Sequence, residues 1–226
     1  MASRHGGPVS LVGPDGELTK IGVQLSNYDN AGFARGRSPL IEALWILVAA
    51  LFVSSPLPGS VHRRLILRLF GARVGKRVVI KPRVRVKFPW RLVIGEDAWI
   101  GESVWIDNLA HVRIGANVCI SQGAYLCGGS HNWASPRFDL MTAPIKIEPG
   151  AWIAARAIIG PGVTVHAGAV LTLGSVATAD LAAWTIHSGG PAQAVKAREF
   201  APSSGSHPRT APLPQCARHG SPPTAP

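Results

Sequence analysis

The chain has 226 residues, which suits one domain with appendages, and 46% of them are hydrophobic, ample for a core. Its three cysteines, Cys119, Cys127 and Cys216, are unclustered, which excludes a disulfide framework and a cysteine metal site. The net charge of +11, from 23 Lys and Arg against 12 Asp and Glu, reads either as a solvated surface or as attraction to an anionic partner. No nucleic-acid fold motif or aromatic–basic stacking platform accompanies that charge, so the partner is not nucleic acid.

Residues 1–26 open with a Gly-, Pro- and Ser-rich stretch and are expected to form a flexible tail. No secretory signal opens the chain, and with this cysteine usage a cytoplasmic setting is expected. Residues 27–72 are expected to form a helical capping segment. Within them Ala43–Val53 is an apolar run of eleven residues, too short to cross a bilayer. A helix here either covers the open end of the domain after it or lies at a membrane surface. Val61–Phe70 is a second amphipathic stretch. From 63 to 91 the chain carries eleven Lys and Arg and no acid. Such a basic face either aids solubility or attracts lipid headgroups, a pyrophosphate carrier or an acidic glycan.

From Val74 an aliphatic residue returns every six positions: Val74, Ile80, Val86, Ile94, Ile100, Ile106, Ile114, Ile120 and Leu126. After a gap the series resumes at Ile147, Ile153, Ile159, Val165, Leu171 and Ala177. A second, smaller residue stands four positions later, from Val78 and Val84 through Ala98 and Val104 to Ser175. A hexapeptide period is the signature of a parallel β-helix. The first coils repeat every 20 residues, divided 6, 6 and 8, which predicts three short strands per coil in a triangular prism. Gly comes directly after the aliphatic residue at 75, 95, 101, 115 and 160, where a tight turn calls for positive φ. The solenoid is expected over 73–188, with a short extension at 189–200 and a disordered tail at 201–226.

The period breaks once. Between Leu126 and Ile147 the chain spends 21 residues where a corner uses 8, a 13-residue excess that forms a loop over 127–146. Long insertions on a regular scaffold carry function. This one opens Gly128-Gly129-Ser130-His131 and contains Trp133, Arg137 and Asp139. A near-neutral imidazole can take a proton from a hydroxyl that attacks an acyl carbon, so His131 is the candidate general base. The glycines let backbone amides approach a developing oxyanion. Asp139 is a candidate for orienting the ring or binding sugar hydroxyls, with Trp133 and Asn108 beside it. His111 precedes His131 by one coil, yet no two histidines stand five apart, and no metal site is expected.

The stretches LRLFGARVGKRVVIKPRVRV, YLCGGSHNWASPRFDLMTAPIKI, AWIAARAIIGPGVTV and GGPAQAVKAREF resemble bacterial hexapeptide-repeat O-acetyltransferases of the colanic acid biosynthesis type, within the maltose, galactoside and serine acetyltransferase superfamily. The resemblance runs over about residues 24–200. It implies a left-handed parallel β-helix, a homotrimer with active sites between subunits, and acetyl-CoA as donor. It matches His131 to the catalytic histidine. It places Trp152, Ala155, Leu173 and Thr178 along the pantetheine channel, and Gln193 and Lys196 near the CoA phosphates. The expected reaction is acetylation of a sugar hydroxyl in exopolysaccharide assembly, by direct transfer in a ternary complex. N-acetylation of an amino sugar and a non-catalytic, membrane-associated assembly module are the alternatives. The acceptor is a glycan or lipid-linked sugar, with peripheral membrane contact through 40–53 and the basic 63–91 face.

Overall fold

The computed structural model describes residues 22–200, together with the backbone of an antiparallel pair, Ser10–Val12 and Leu18–Lys20. The rest of the expected N-terminal tail, and the expected tail at 201–226, lie outside the described residues. Short parallel strands stack into three faces of a prism. The first face holds Arg73–Val74, Leu92–Ile94, Val112–Ile114, Ile145–Ile147 and Thr164–Val165. The second begins at Val79–Ile80 and runs through Trp99–Ile100, Cys119–Ile120, Trp152–Ile153 and Val170–Leu171. The third holds Arg85–Val86, Trp105–Asp107, Tyr125–Cys127, Ile158–Ile159 and Val176–Ala177. Beyond the fifth coil Thr185–Gly189 extends the second face, and Ala192–Ala197 folds back antiparallel as its edge.

All fifteen members of the six-residue series are buried. Each Val, Ile or Leu among them contributes about 1.5–3 kcal/mol, and none could be buried without the coils above and below. The smaller series is buried too, apart from Ala110, which is half-buried beside the fully buried Asn108. Arg73 pairs with Val93 and Val93 with Arg113, steps of 20 residues, whereas Lys146 pairs with Thr164, a step of 18. The two extra residues of the early coils lie at the edge between the third and first faces. The 127–146 loop leaves the solenoid at that same edge.

The corner glycines correct one expectation. Positive φ falls two residues after them, at Arg77 (54°), Asp97 (58°), Ser103 (59°) and Asn117 (56°). Gly75, Gly95, Gly101 and Gly115 are there for close approach instead. A Cβ on Gly95 would lie 2.5 Å from the Ala116 nitrogen of the next coil, and one on Gly101 2.6 Å from the Gln122 nitrogen. Gly serves where one backbone passes this near another.

Helix α1 (Pro39–Val48), a π-turn at Ala49–Val53 and helix α2 (Val61–Leu69) close the N-terminal end. Trp45, Val53 and Leu67 join the core, and the Trp45 ring meets Phe70 at 5.1 Å. The first coil donates its N–H groups to carbonyls of the second at Ile94, Ala98, Ile100, Val104 and Ile106. The equivalent carbonyls of the first coil, at Val74, Val78, Ile80, Val84 and Val86, face the cap. Each accepts a side-chain donor from it: Arg68 at Val74 (3.0 Å), Arg64 at Val78 (3.1 Å), Ser60 at Ile80 (3.0 Å), Ser54 at Val84 (3.1 Å) and Trp45 at Val86 (3.1 Å). The cap thus replaces a missing coil, bond for bond, and removes the open sheet edge. Arg63 is buried within the cap and donates to the carbonyls of Val53, Ser55, Leu57 and Gly59.

Candidate active site

The loop that interrupts the repeat is a β-hairpin, with Gly129–His131 antiparallel to Leu140–Thr142. Its two glycines let it lie on the preceding coil: a Cβ on Gly128 would be 2.7 Å from the Asp107 carbonyl oxygen, and one on Gly129 2.4 Å from Leu109. The Gly128 N–H donates to that Asp107 oxygen at 3.0 Å, so this amide is committed to the fold rather than open to an oxyanion. At the tip, Asn132 N–H donates to Asp139 O and Phe138 N–H to Ser135 O, both at 2.9 Å.

His131 is half-buried, with its Nδ1 2.8 Å from the Phe138 carbonyl oxygen and its ring stacked on Phe138 at 4.2 Å and 5°. A carbonyl only accepts, so in the neutral ring Nδ1 carries the proton and Nε2 keeps its lone pair. Phe138 stands at φ 53°, which turns its carbonyl towards the ring; a bulky residue in this region costs on the order of 1–2 kcal/mol. Strain of this kind concentrates at functional sites.

The Phe138 carbonyl, not Asp139, orients the ring. The Asp139 carboxylate instead accepts from Ser135 Oγ at 2.8 Å and pairs with Arg137 at 3.2 Å. Trp133 projects from the tip, 85% exposed. Asn108 is fully buried: its Oδ1 accepts from Phe88 N–H (2.9 Å) and its Nδ2 donates to Phe88 O (2.6 Å). Its amide holds the corner below the hairpin. No sequence motif marks Asp107, yet its buried carboxylate meets the Tyr125 hydroxyl at 3.3 Å and Lys87 at 3.6 Å. Burial first, then Cys127 and Asp107, push the Tyr125 phenol well above its usual range.

The N-terminal segment also reaches the site, which the sequence pattern does not reveal. Gln24 N–H donates to Pro136 O at 2.8 Å, and the Tyr28 ring lies 5.7 Å from His131. Leu25, Tyr28, His131 and Phe138 line a shallow cavity of about 370 Å³.

The residues matched to a CoA channel fall into two groups. Ala155 and Leu173 stack at the edge between the second and third faces, where Gly174 N–H donates to Ala155 O at 3.0 Å. Trp152 stands on the second face, its indole N–H donating to Ser121 Oγ at 3.0 Å. Gln193 and Lys196 lie exposed on the edge strand of that face. Thr178 is instead on the edge that carries the His131 hairpin, two coils further on. One chain therefore holds the candidate base and the candidate channel on different edges of the prism.

No family model matches the chain. It is 38% identical over 167 residues to the Escherichia coli K12 protein named as the colanic acid biosynthesis acetyltransferase WcaF, a match covering 74% of this chain and 92% of that one. The chain belongs to the hexapeptide-repeat acetyltransferases. Galactoside O-acetyltransferase of E. coli K12 is 27% identical, over 62% of this chain and 70% of its own. A hexapeptide-repeat acetyltransferase from Vibrio cholerae, solved with acetyl coenzyme A, superposes with a TM-score of 0.65 at 25% identity, covering 73% of this chain and 92% of that one. The prism of this acetyltransferase is accordingly a left-handed parallel β-helix, as the sequence led us to expect.

Proposed function

We propose that the protein transfers the acetyl group of acetyl-CoA to a hydroxyl of a cell-surface glycan sugar, with His131 as general base. The observation that carries this reading is the His131–Phe138 contact, which in the neutral ring puts the proton on Nδ1 and leaves Nε2 its lone pair, on a residue that lines an open cavity. His131 Nε2 takes the hydroxyl proton as the sugar oxygen bonds to the thioester carbon. The tetrahedral intermediate collapses, the C–S bond breaks, and the imidazolium proton passes to the departing thiolate. Transfer is direct in a ternary complex. Oxyanion support comes from a loop amide other than that of Gly128.

Trp152, Ala155 and Leu173 form an apolar strip suited to pantetheine, and Lys196 offers a cation for the nucleotide phosphates. These lie on a different edge from His131, which supports a homotrimer with each site between neighbouring subunits. A cyclic trimer repeats one heterologous contact and so brings unlike edges together. We place the reaction in the cytoplasm, at its membrane boundary. Thiol release from acetyl-CoA across a sugar panel tests the proposal, with mass spectrometry separating O- from N-acetyl products. The wild type should release thiol with a neutral sugar and His131→Ala should not; an unimpaired alanine variant, or turnover with amino sugars alone, would remove it.

A further inference from the structure

The cap that satisfies the first coil leaves much of its own apolar surface outside. On α1 and the π-turn Trp45 and Val53 are buried in the core and Ala49 packs against it, while Leu40 (82% exposed), Leu44, Leu47 and Leu51 stay exposed. On α2, Leu67 and Arg63 face the core, while Val61, Leu65 (58%) and Leu69 (82%) form an i, i+4, i+8 row on the outside. Isolated exposed leucines need no explanation, but a row on each of the two helices of one cap does.

Charge identifies the occupant. Between residues 30 and 95 the chain has a single acid, Glu42, and Arg35 pairs with it at 2.8 Å. The first coil rims the cap with cations, and exposed Arg73, Lys76 and Lys81 make no ion pair among the described residues. An apolar helix face bordered by unpaired cations matches the boundary between anionic headgroups and acyl chains. No helix among the described residues is long and apolar enough to cross a membrane. We propose that the α1–α2 cap docks in the plane of an anionic bilayer surface, its leucine rows entering the acyl boundary and the rim cations meeting lipid phosphates. This rests on the acetyltransferase reading only for the trimer. Cyclic symmetry puts three equivalent caps at one height on the axis, so all three meet one membrane together.

Flotation of the full-length protein with vesicles tests the docking. The wild type should rise with phosphatidylglycerol-containing vesicles at low salt, and far less with phosphatidylcholine alone or at about 0.5 M salt. Leu65→Ser with Leu69→Ser should cut the bound fraction on the order of tenfold while thiol release with a soluble acceptor is kept, because neither side chain is in the core. His131→Ala should float like the wild type, so loss of turnover and loss of docking are read separately. A wild type that stays at the bottom with anionic vesicles overturns the proposal. So does a double serine variant that floats normally and changes only its oligomeric state, which would make the leucine rows a contact between copies.

Discussion

The Nδ1 of His131 lies 2.8 Å from the carbonyl oxygen of Phe138, seven residues along the same hairpin. In the neutral ring that bond places the proton on Nδ1, and His131 lines the cavity with Leu25, Tyr28 and Phe138. On the proposed role as general base, replacing His131 by Ala should lower kcat on the order of 10²–10⁴-fold, while the melting temperature moves little because the side chain is half-buried and outside the core. Steady-state kinetics alongside thermal unfolding separate the two.

Tyr28 faces His131 at 5.7 Å across the same cavity, on a segment tied down by the Gln24–Pro136 hydrogen bond. For the proposed sugar acceptor, an aromatic wall opposite His131 would meet the apolar face of a pyranose. Tyr28→Ala should raise the acceptor KM about tenfold and leave the acetyl-CoA KM unchanged, a split visible in two-substrate kinetics.

Two kinds of glycine make opposite predictions. At Gly95 an added Cβ would meet next-coil backbone at 2.5 Å, so Gly95→Ala should cost about 1–3 kcal/mol. Gly174 stands at φ 67° with nothing within 4 Å of such a Cβ, and the equivalent corner sites hold Arg83 and Ser103 at positive φ. Gly174→Asn should therefore stay within about 1 kcal/mol of the wild type, because Asn tolerates this region. Denaturant midpoints at equal slope compare them.

The Glu148 carboxylate accepts from Lys146 at 2.7 Å and from the Ala167 N–H at 3.1 Å, and lies 3.3 Å from His166. These partners, Lys146 foremost, hold it below the usual glutamate range. Its contribution to stability is thus complete above the unfolded value of about 4.3 and is lost as pH falls through the lower folded value. Melting curves from about pH 6 to 3 should fall less steeply for Glu148→Gln than for the wild type.

The architecture was legible because every inward position of a coil demands an aliphatic residue, and Val74 through Ala177 keep that phase. The loop was legible by the same count, as the one place where the period fails. Contacts made only by stacking were not. Gly75, Gly95, Gly101 and Gly115 look like turn residues until the next backbone is found against them. Pairing of Arg68, Arg64, Ser60, Ser54 and Trp45 with successive carbonyls depends on a register that no local pattern encodes. Tyr28 reaches His131 from far along the chain. Asn108 is a polar residue near the loop in sequence, and only its bonds to Phe88 show that it holds the corner.

The central claim is that one subunit supplies His131 and its neighbour the Trp152–Leu173 channel. Subunit complementation tests it most directly. His131→Ala and Leu173→Glu are each expected to abolish turnover, the second by placing a carboxylate on the exposed edge where CoA would lie. Dissociated, mixed in equal amounts and reassembled, they should recover about a quarter of wild-type activity, the fraction of interfaces that combine an intact histidine with an intact channel. A reassembled mixture no more active than the two separate variants would contradict the account.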